Sequence, residues 1–252
     1  MLLSTDGVVI REQKTGEDDR IVTLLTRQAG VVRAFANGAR RYKNQNSSAT
    51  ALLTYSRFVL YHGREKYIVN SAEPLHVFGG IRSDIERLAL AQYLCELSLT
   101  LAPQEDEAEP FLRLLLNTLH LLSEGKRDPL LLKSAFEMRI LSLSGHMPDL
   151  TMCGSCGVYE APVMYLLTAG GQLRCDDCIR KEPSAAASVP LSKTALYALR
   201  HTVYCDGAKL FSFALPQRDL KELSRAAQSY LLAQTDRTYQ TLLFYESLRA
   251  PS

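Results

Sequence analysis

Long apolar runs are missing from this sequence of 252 residues. The longest of them, such as residues 163–167, hold only a few side chains, whereas a helix that crosses a bilayer needs roughly 20. No transmembrane helix is therefore predicted, and no membrane is expected among the partners. The first residues also lack a basic segment followed by an apolar one, so no secretory signal is predicted. We expect a cytoplasmic protein.

The common catalytic motifs are missing as well. The sequence contains no G-x-x-x-x-G-K-[ST] phosphate loop, no G-x-G-x-x-G after a predicted strand and no G-x-S-x-G turn. The five histidines are scattered singly along the chain, and a lone histidine is more often structural than catalytic. These absences predict a protein that binds other molecules rather than an enzyme, and no catalytic residues are assigned.

Acidic residues are absent from one long segment of the chain. From Arg20 to Arg64 there are eight Lys or Arg residues and no Asp or Glu, although the whole chain has a net charge of only +2. Ordinary protein surfaces mix both signs of charge, so this segment predicts a positive field suited to phosphate. A polar loop, residues 37–48, lies inside the segment and is too long for a tight hairpin. The loop is predicted to bind phosphate, with a solvated connection as the alternative.

Disulfides are not expected among the six cysteines, because the cytoplasm is reducing. Four of the cysteines form two C-x2-C pairs, Cys153 with Cys156 and Cys175 with Cys178, with 18 residues between the pairs. This spacing is typical of a zinc site closed by four thiolates, which leaves no coordination position for water. We predict one structural Zn²⁺. The alternative is two disulfides or four unrelated core thiols.

The first 79 residues alternate short β-branched and aromatic runs with turns, a pattern typical of an all-β domain. Five strands are predicted, at residues 7–13, 20–27, 31–36, 55–61 and 66–71. Five strands in so short a segment fit a small barrel, either an OB-fold or an SH3-like barrel.

After Pro74 the apolar residues follow a helical period. A buried helix is predicted around Leu90 and Leu94, and further helices at residues 110–122, 130–144, 192–204 and 219–248. The cysteine pairs interrupt these helices, and a β-hairpin is predicted between the pairs. The predicted fold class is therefore α+β: an N-terminal five-stranded OB-fold barrel followed by an all-helical domain with an inserted four-cysteine zinc-binding module. The predicted domain ranges are 1–79, 80–152, 153–190 and 191–252.

Several short strings in this order carry a resemblance to a known family. They are Gly7-Val8-Val9-Ile10-Arg11, Gly16-Glu17, Arg20-Ile21-Val22-Thr23-Leu24-Leu25-Thr26-Arg27, Gly38-Ala39-Arg40-Arg41 and Gly80-Ile81-Arg82, followed by the four cysteines. Taken together, they make nearly the whole chain resemble RecO, a family of bacterial recombination mediators. No single string is diagnostic on its own.

The resemblance implies an OB-fold, binding of single- and double-stranded DNA, and annealing of complementary strands. It also implies partnership with RecR and with the single-stranded DNA-binding protein. The implied role is to help RecA load onto coated strands, and the implied location is the nucleoid. The helical body is expected to hold the C-terminal tail of the single-stranded DNA-binding protein. A zinc-stapled protein–protein adaptor with incidental DNA affinity is the alternative function.

The same resemblance assigns the loop cations to DNA phosphate. Because aromatic faces accept any base, Tyr42 of the loop is expected to stack on a base, with Phe35 and Tyr55 as further stacking candidates. The predicted DNA-binding residues are Arg33, Arg40, Arg41, Tyr42, Lys43 and Arg57.

Overall fold

A computed structural model describes residues 1–41, 44, 46–63, 66–181 and 187–249. The chain divides into two compact units. We call Met1–Lys126 together with Gln240–Ser252 the barrel unit, and Arg127–Tyr239 the cysteine unit. Across the described residues, no helix combines the length and the apolar character needed to cross a membrane.

The barrel unit begins with a closed five-stranded barrel, which confirms the predicted strands. The strands are β1 (Leu2–Thr15), β2 (Asp19–Thr26), β3 (Gly30–Ala36), β4 (Thr54–His62) and β5 (Tyr67–Val77). Their order around the barrel is β1-β2-β3-β5-β4, and β4 pairs back onto β1. Every pair is antiparallel except β3 with β5. This strand order is that of the OB-fold, which decides between the two barrels that the pattern allowed.

The barrel interior is filled by alternate residues of its strands, because successive side chains of a strand point to opposite faces. The interior residues are apolar and almost fully buried, among them Val22, Leu24, Val32, Ala34, Phe58 and Leu60. Their neighbours along each strand point outward. A bulge at Ile10 interrupts the pairing of β1 with β2, because Val9 pairs with Leu24 and Arg11 with Thr23.

Five helices complete the described part of the barrel unit. They are α1 (Asn46–Ala49), α2 (Gly79–Arg82), α3 (Ile85–Leu101), α4 (Glu109–Glu124) and α9 (Gln240–Arg249). Asp84 caps α3, since its carboxylate accepts a hydrogen bond from the N–H of Arg87 at 3.0 Å. Gly125 ends α4 in the left-handed conformation, with φ of 67°.

The cysteine unit combines helices with a small sheet. Its elements are α5 (Pro129–Leu143), β6 (Asp149–Cys153), β7 (Met164–Leu167), β8 (Gln172–Cys175), α6 (Asp176–Lys181), β9 (Ser188–Leu191), α7 (Lys193–Tyr204), a 3-10 turn (Gly207–Lys209) and α8 (Gln217–Thr235). The sheet order is β6-β8-β7-β9, and β7 and β8 form the predicted hairpin.

One helix prediction is wrong. Residues 219–248 do not form a single helix, because α8 ends at Thr235 and α9 begins at Gln240. Asp236 follows α8 in the left-handed conformation, with φ of 47°, and its N–H donates to Leu232 O. An aspartate tolerates this conformation better than most residues, and a single left-handed residue ends a helix.

Candidate nucleic-acid interface and metal site

The outer face of β1, β2 and β3 presents two rows of side chains that cross the strands. In the first row, Arg11 of β1 pairs with Thr23 of β2, which in turn pairs with Arg33 of β3. In the next outward row, Ile21 of β2 pairs with Phe35 of β3. Arg11 and Arg33 are exposed, so two guanidinium groups that are distant in the sequence lie on one face of the barrel.

The turn between β4 and β5 brings a third cation and two rings to this face. Lys66 Nζ lies 4.9 Å from the centroid of the Phe35 ring. The rings of His62 and Tyr67 stack with their centroids 4.3 Å apart at an angle of 10°. An open cleft of about 470 Å³, which we call the barrel cleft, is lined by Arg11, Arg33, Lys66, His62 and Tyr67 among others. The barrel cleft therefore combines cations with aromatic faces.

One acidic residue also lines the barrel cleft. Glu105 belongs to the segment between α3 and α4 and has an unusual positive φ of 57°. This segment is fixed to β3, because Val31 N donates to Pro103 O at 2.9 Å. Gly30, with φ of 57°, has no room for a Cβ beside Pro103 O. Burial, together with the charge of Glu105, raises the pKa of Tyr67 above its ordinary value.

The two described arginines of the polar loop are tied to the turn between β1 and β2. Arg40 Nη1 donates to Glu17 O at 2.8 Å, and Arg41 Nε donates to Asp18 Oδ2 at 2.8 Å. Asp18 raises the pKa of Arg41. Both arginines are exposed, whereas the other two loop predictions, Tyr42 and Lys43, lie outside the described residues.

Arg57 lies in a different environment from Arg33. It pairs across the sheet with Asp6 on β1 and with Glu73 on β5, and its Nη1 is 3.7 Å from Glu73 Oε2. Tyr55, predicted as a stacking candidate, is half-buried and donates its hydroxyl to Asp6. Acidic groups therefore flank Arg57, and the structure does not bring it into the barrel cleft beside Arg33.

Ion pairs explain why the sequence overstated the positive charge of the acid-free segment. Asp6, Glu12, Asp18 and Glu73 all lie outside the segment in sequence, and they pair with arginines inside it. The pairs are Asp6 with Arg27, Glu12 with Arg20, Asp18 with Arg41 and Glu73 with Arg57. The barrel cleft keeps its cations, because no ion pair of Arg11, Arg33 or Lys66 occurs among the described residues.

The four predicted metal ligands come together in the cysteine unit. The sulfur atoms of Cys153, Cys156, Cys175 and Cys178 all lie within 4.8 Å of one another, and those of Cys156 and Cys175 are 3.7 Å apart. A tetrahedron with metal–sulfur bonds of about 2.3 Å has edges of about 3.8 Å. The four thiols are therefore close enough together to hold one metal ion.

Local backbone geometry produces this arrangement. Cys153 ends β6 and Cys175 ends β8, and these two strands lie side by side. Gly157, with φ of 72°, allows the first pair to turn back, and its N–H donates to Cys153 O at 2.9 Å. Cys178 follows in the first turn of α6.

The thiols influence one another's ionisation. Burial opposes the ionisation of Cys153, but the N–H groups of Cys175, Cys156 and Ser155 stabilise its thiolate, so its pKa falls to about 6. Hydrogen bonding to Cys156 and Cys175 raises the pKa of Cys178 to about 12. The cluster thus accepts one negative charge readily but resists four. A bound cation would remove that resistance.

Arg200 holds the first cysteine pair in place. This arginine of α7 is buried, and its guanidinium donates to three backbone carbonyls at 2.7 to 3.0 Å, those of Leu150, Thr151 and Tyr159. The ring of Tyr159 covers it at 4.0 Å. Because these carbonyls precede and follow Cys153 and Cys156, α7 fixes the segment that carries two of the four sulfurs. No sequence pattern indicated this role of Arg200.

Comparison with known proteins places these features in a family. A family model described as recombination protein O N terminal matches residues 1–78, and one described as recombination protein O C terminal matches residues 82–242. This chain belongs to the RecO family. The resemblance drawn from the short sequence strings is confirmed.

Full-length relatives agree with the two RecO models. A protein of Acetivibrio thermocellus named DNA repair protein RecO is 35% identical over 246 residues, which cover 98% of this chain and 97% of the relative. A protein of Symbiobacterium thermophilum with the same name is 35% identical over 253 residues, covering 99% and 98%. Another, from Desulforudis audaxviator, is 39% identical over 183 residues, covering 72% of each chain. Membership of the RecO family gives the chain a role in recombinational DNA repair.

Sequence reasoning did not find the cleft residues Arg11, Lys66, His62 and Tyr67. Arg11 belongs to a string that carries the RecO resemblance, and Lys66 lies just beyond the acid-free segment, so both were visible as residues. What the sequence did not show is their proximity, because that depends on the register of strands β1 to β3 and on the turn between β4 and β5.

Proposed function

We propose that this RecO-family chain is a DNA-binding recombination mediator that binds rather than catalyses. In this proposal it binds single- and double-stranded DNA and anneals complementary strands. With RecR it helps RecA load onto strands coated by the single-stranded DNA-binding protein. The observation that carries the proposal is the barrel cleft, where three cations and a stacked pair of rings share one face.

The chemistry of the barrel cleft suits a single strand. Lysine and arginine bind phosphate regardless of base, and aromatic faces accept any base. Arg11, Arg33 and Lys66 would contact the DNA backbone. A base would stack on an outer face of the His62–Tyr67 ring pair. Arg40, Arg41 and Lys43 of the polar loop would extend the phosphate contacts. Arg41 would exchange Asp18 for phosphate, at the expense of its ion pair.

Annealing follows from the same surface. Two complementary strands repel each other through their phosphates, and a positive surface that holds both reduces the repulsion. The loop arginines lie outside the lining of the barrel cleft, so a second strand has cations of its own to contact.

The four-cysteine site would hold one structural Zn²⁺. The sulfur separations support this assignment, because Zn²⁺ prefers four thiolates in a tetrahedron. When bound, the ion would supply positive charge that neutralises the thiolates. The protein's own contribution is to present the sulfurs from β6, β8 and α6 and to hold the first pair through Arg200. In this proposal the site stabilises the cysteine unit and takes no part in chemistry.

Strand annealing by purified protein tests the proposed function. Reversing two cleft charges, with Arg11→Glu and Arg33→Glu together, should reduce both the binding of single strands and the annealing rate by more than tenfold, since the new carboxylates repel the phosphates that the arginines attract. A variant with Arg113→Glu and Arg218→Glu carries the same charge change on paired helix arginines and should keep both activities. If both variants annealed equally well, the barrel cleft would not be the DNA surface.

The loop needs its own variant. Arg40→Glu with Arg41→Glu should weaken binding less than the cleft variant, because both arginines already have partners on the turn between β1 and β2. Weak, salt-insensitive DNA binding by the wild-type protein would instead favour the adaptor, with the cleft charge incidental.

A further inference from the structure

A second pocket adjoins the barrel cleft. It has a volume of about 420 Å³, and Arg11 and Leu99 line both cavities. We call this cavity the side pocket. It lies between strand β1 and helix α3, which contribute Ile10 and Gln92 respectively. Because two residues are shared, a ligand that lies along the barrel cleft reaches the side pocket at Arg11 without leaving the protein surface.

The walls of the side pocket are fixed by local structure. Three consecutive residues at the bulge of β1, Ile10, Arg11 and Glu12, line the pocket. Leu52 is held on both sides, because its N–H donates to Glu12 Oε2 at 2.8 Å and its carbonyl accepts from Arg82 Nη2 at 2.8 Å. The next residue, Leu53, has a positive φ of 60°. Such a conformation is costly for leucine and persists where the surroundings impose it.

The lining of the side pocket differs from that of the barrel cleft. Ile10, Leu52 and Leu99 form an apolar surface. The polar residues of the lining are Arg11, which is shared with the cleft, and Glu12, Gln92, Glu96 and Thr241. Glu96 Oε2 accepts hydrogen bonds from the hydroxyl and the N–H of Thr241, which hold the carboxylate in place. Two carboxylates beside a single shared arginine make the side pocket less favourable to phosphate than the barrel cleft.

A nucleobase fits this lining. Its faces are apolar, and its edges carry amide-like donors and acceptors that Gln92 and Glu96 can pair with. The volume lies within the range of small-ligand pockets, about 300 to 1,000 Å³. Cys95 adds a buried thiol, which burial keeps protonated and unreactive by raising its pKa to about 12. The side pocket is therefore suited to binding a base and not to reacting with it.

We propose that the side pocket takes one unstacked nucleobase of a single strand whose phosphates lie in the barrel cleft. This inference rests on the proposed function, since the strand must first bind. The balance of charge supports it: the cleft has Arg11, Arg33 and Lys66 against Glu105. The side pocket has Glu12 and Glu96 against Arg11 alone. A duplex keeps its bases stacked and paired, so it cannot fill the side pocket. The same site would thus favour single strands over duplex.

The absence of tryptophan from the chain makes a direct test possible. A Leu52→Trp variant introduces one indole into the wall of the side pocket, and Gln92→Trp does the same from α3. Leu75→Trp is the matched control, because Leu75 is exposed on β5 and lines neither cavity. Each variant is titrated with a thymidine oligonucleotide of about 12 residues, and with a matched oligomer that has the sugar-phosphate backbone but no bases. Fluorescence anisotropy of labelled DNA measures binding in the same samples.

We expect the thymidine oligonucleotide to quench the indole of Leu52→Trp and Gln92→Trp but not that of Leu75→Trp. The abasic oligomer should bind without quenching. The wild-type protein should prefer the base-bearing oligomer by roughly fivefold or more, the lower end of the contribution of one well-placed base. If DNA bound but left both pocket indoles unchanged, or if the abasic oligomer quenched them equally, the side pocket would not hold a base and the DNA function would stand. If no DNA bound at low salt, the proposed function itself would fail and the inference with it.

Discussion

The carboxylate of Asp6 joins β1 to β4 and to Arg27, the residue that follows β2. It accepts hydrogen bonds from the guanidinium of Arg27 at 2.7 to 3.2 Å and from the hydroxyl of Tyr55. Arg27 also pairs with Glu109 of α4. The hydrogen bond from Arg27 is the largest cause that lowers the pKa of Asp6 below 3.8, against the opposing effect of burial. A charged Asp6 therefore stabilises the folded barrel.

The pH dependence of this effect follows from its sign. Because the folded pKa is lowered, the contribution is fully present above about pH 4 and is lost as the pH falls through the folded pKa. Asp6→Asn should lower the free energy of unfolding by about 1 kcal/mol at neutral pH. The effect is no larger because Arg27 is half-exposed and solvent screens the pair. The difference in free energy of unfolding between wild type and Asp6→Asn should disappear below pH 4. Urea unfolding across this pH range measures it, with Glu73→Gln at the exposed pair with Arg57 as the control. A gap that stays constant with pH would contradict this role for Asp6.

Cys175 is the most informative of the four thiols, because its N–H donates to Cys153 Sγ at 3.4 Å and its own sulfur lies 3.7 Å from that of Cys156. Cys175→Ser should lower zinc content from one per chain to well below one and destabilise the cysteine unit by more than about 4 kcal/mol, as removal of a structural metal does. Elemental analysis and thermal unfolding provide the two measurements. Cys205→Ser, outside the cluster, should change neither. Full zinc content in Cys175→Ser would rule out the four-thiolate site.

At the scale of the element, helix α5 carries a buried ion pair. Lys133 Nζ lies 2.8 Å from Glu137 Oε1, one helical turn away, and donates to Gln228 Oε1 of α8 at 2.9 Å. The two charged side chains are 1% and 0% exposed. Buried pairs of this kind rarely add net stability, but removing one member is costly. We expect this pair to help specify how α5 packs against α8.

A double-mutant cycle tests that view of α5. Lys133→Met should destabilise the cysteine unit by about 3 to 5 kcal/mol, because it removes the cation beside buried Glu137. Adding Glu137→Leu should recover most of this stability, since two apolar side chains then replace the two charges. Denaturant unfolding of the four proteins gives the coupling energy. Additive costs in the double variant would mean that the two residues act separately.

Sequence patterns predicted most elements because local chemistry decides them. The barrel strands follow from alternating apolar residues, and α5 from Asp128 at its cap and Pro129 in its first turn. The end of α8 was missed for a different reason. Apolar residues continue at helical spacing through Leu231 to Leu242 and Tyr245, so the periodicity does not change where Asp236 adopts its left-handed conformation.

At the scale of the whole molecule, the sequence predicted that the four cysteines come together, but it predicted the residues of the barrel cleft only in part. Each C-x2-C pair is a local turn, and the spacing between pairs indicates that they can meet. The lining of the barrel cleft depends on which strands are neighbours. Arg33 was predicted and lies in the barrel cleft, whereas Arg57, equally basic in sequence, is flanked by Asp6 and Glu73. Charge counted along the chain could not distinguish the two.

Binding of DNA phosphate in the barrel cleft is tested most directly by a salt titration of single-strand binding. For single strands, the slope of log K against log[salt] is about −0.7 for each phosphate neutralised. We predict that Arg11→Gln, Arg33→Gln and Lys66→Gln together flatten the slope by about 2. A triple variant with Arg57→Gln, Arg113→Gln and Arg218→Gln, all at ion-paired arginines, should change it by much less. Equal slopes for the two triple variants would contradict phosphate binding in the barrel cleft.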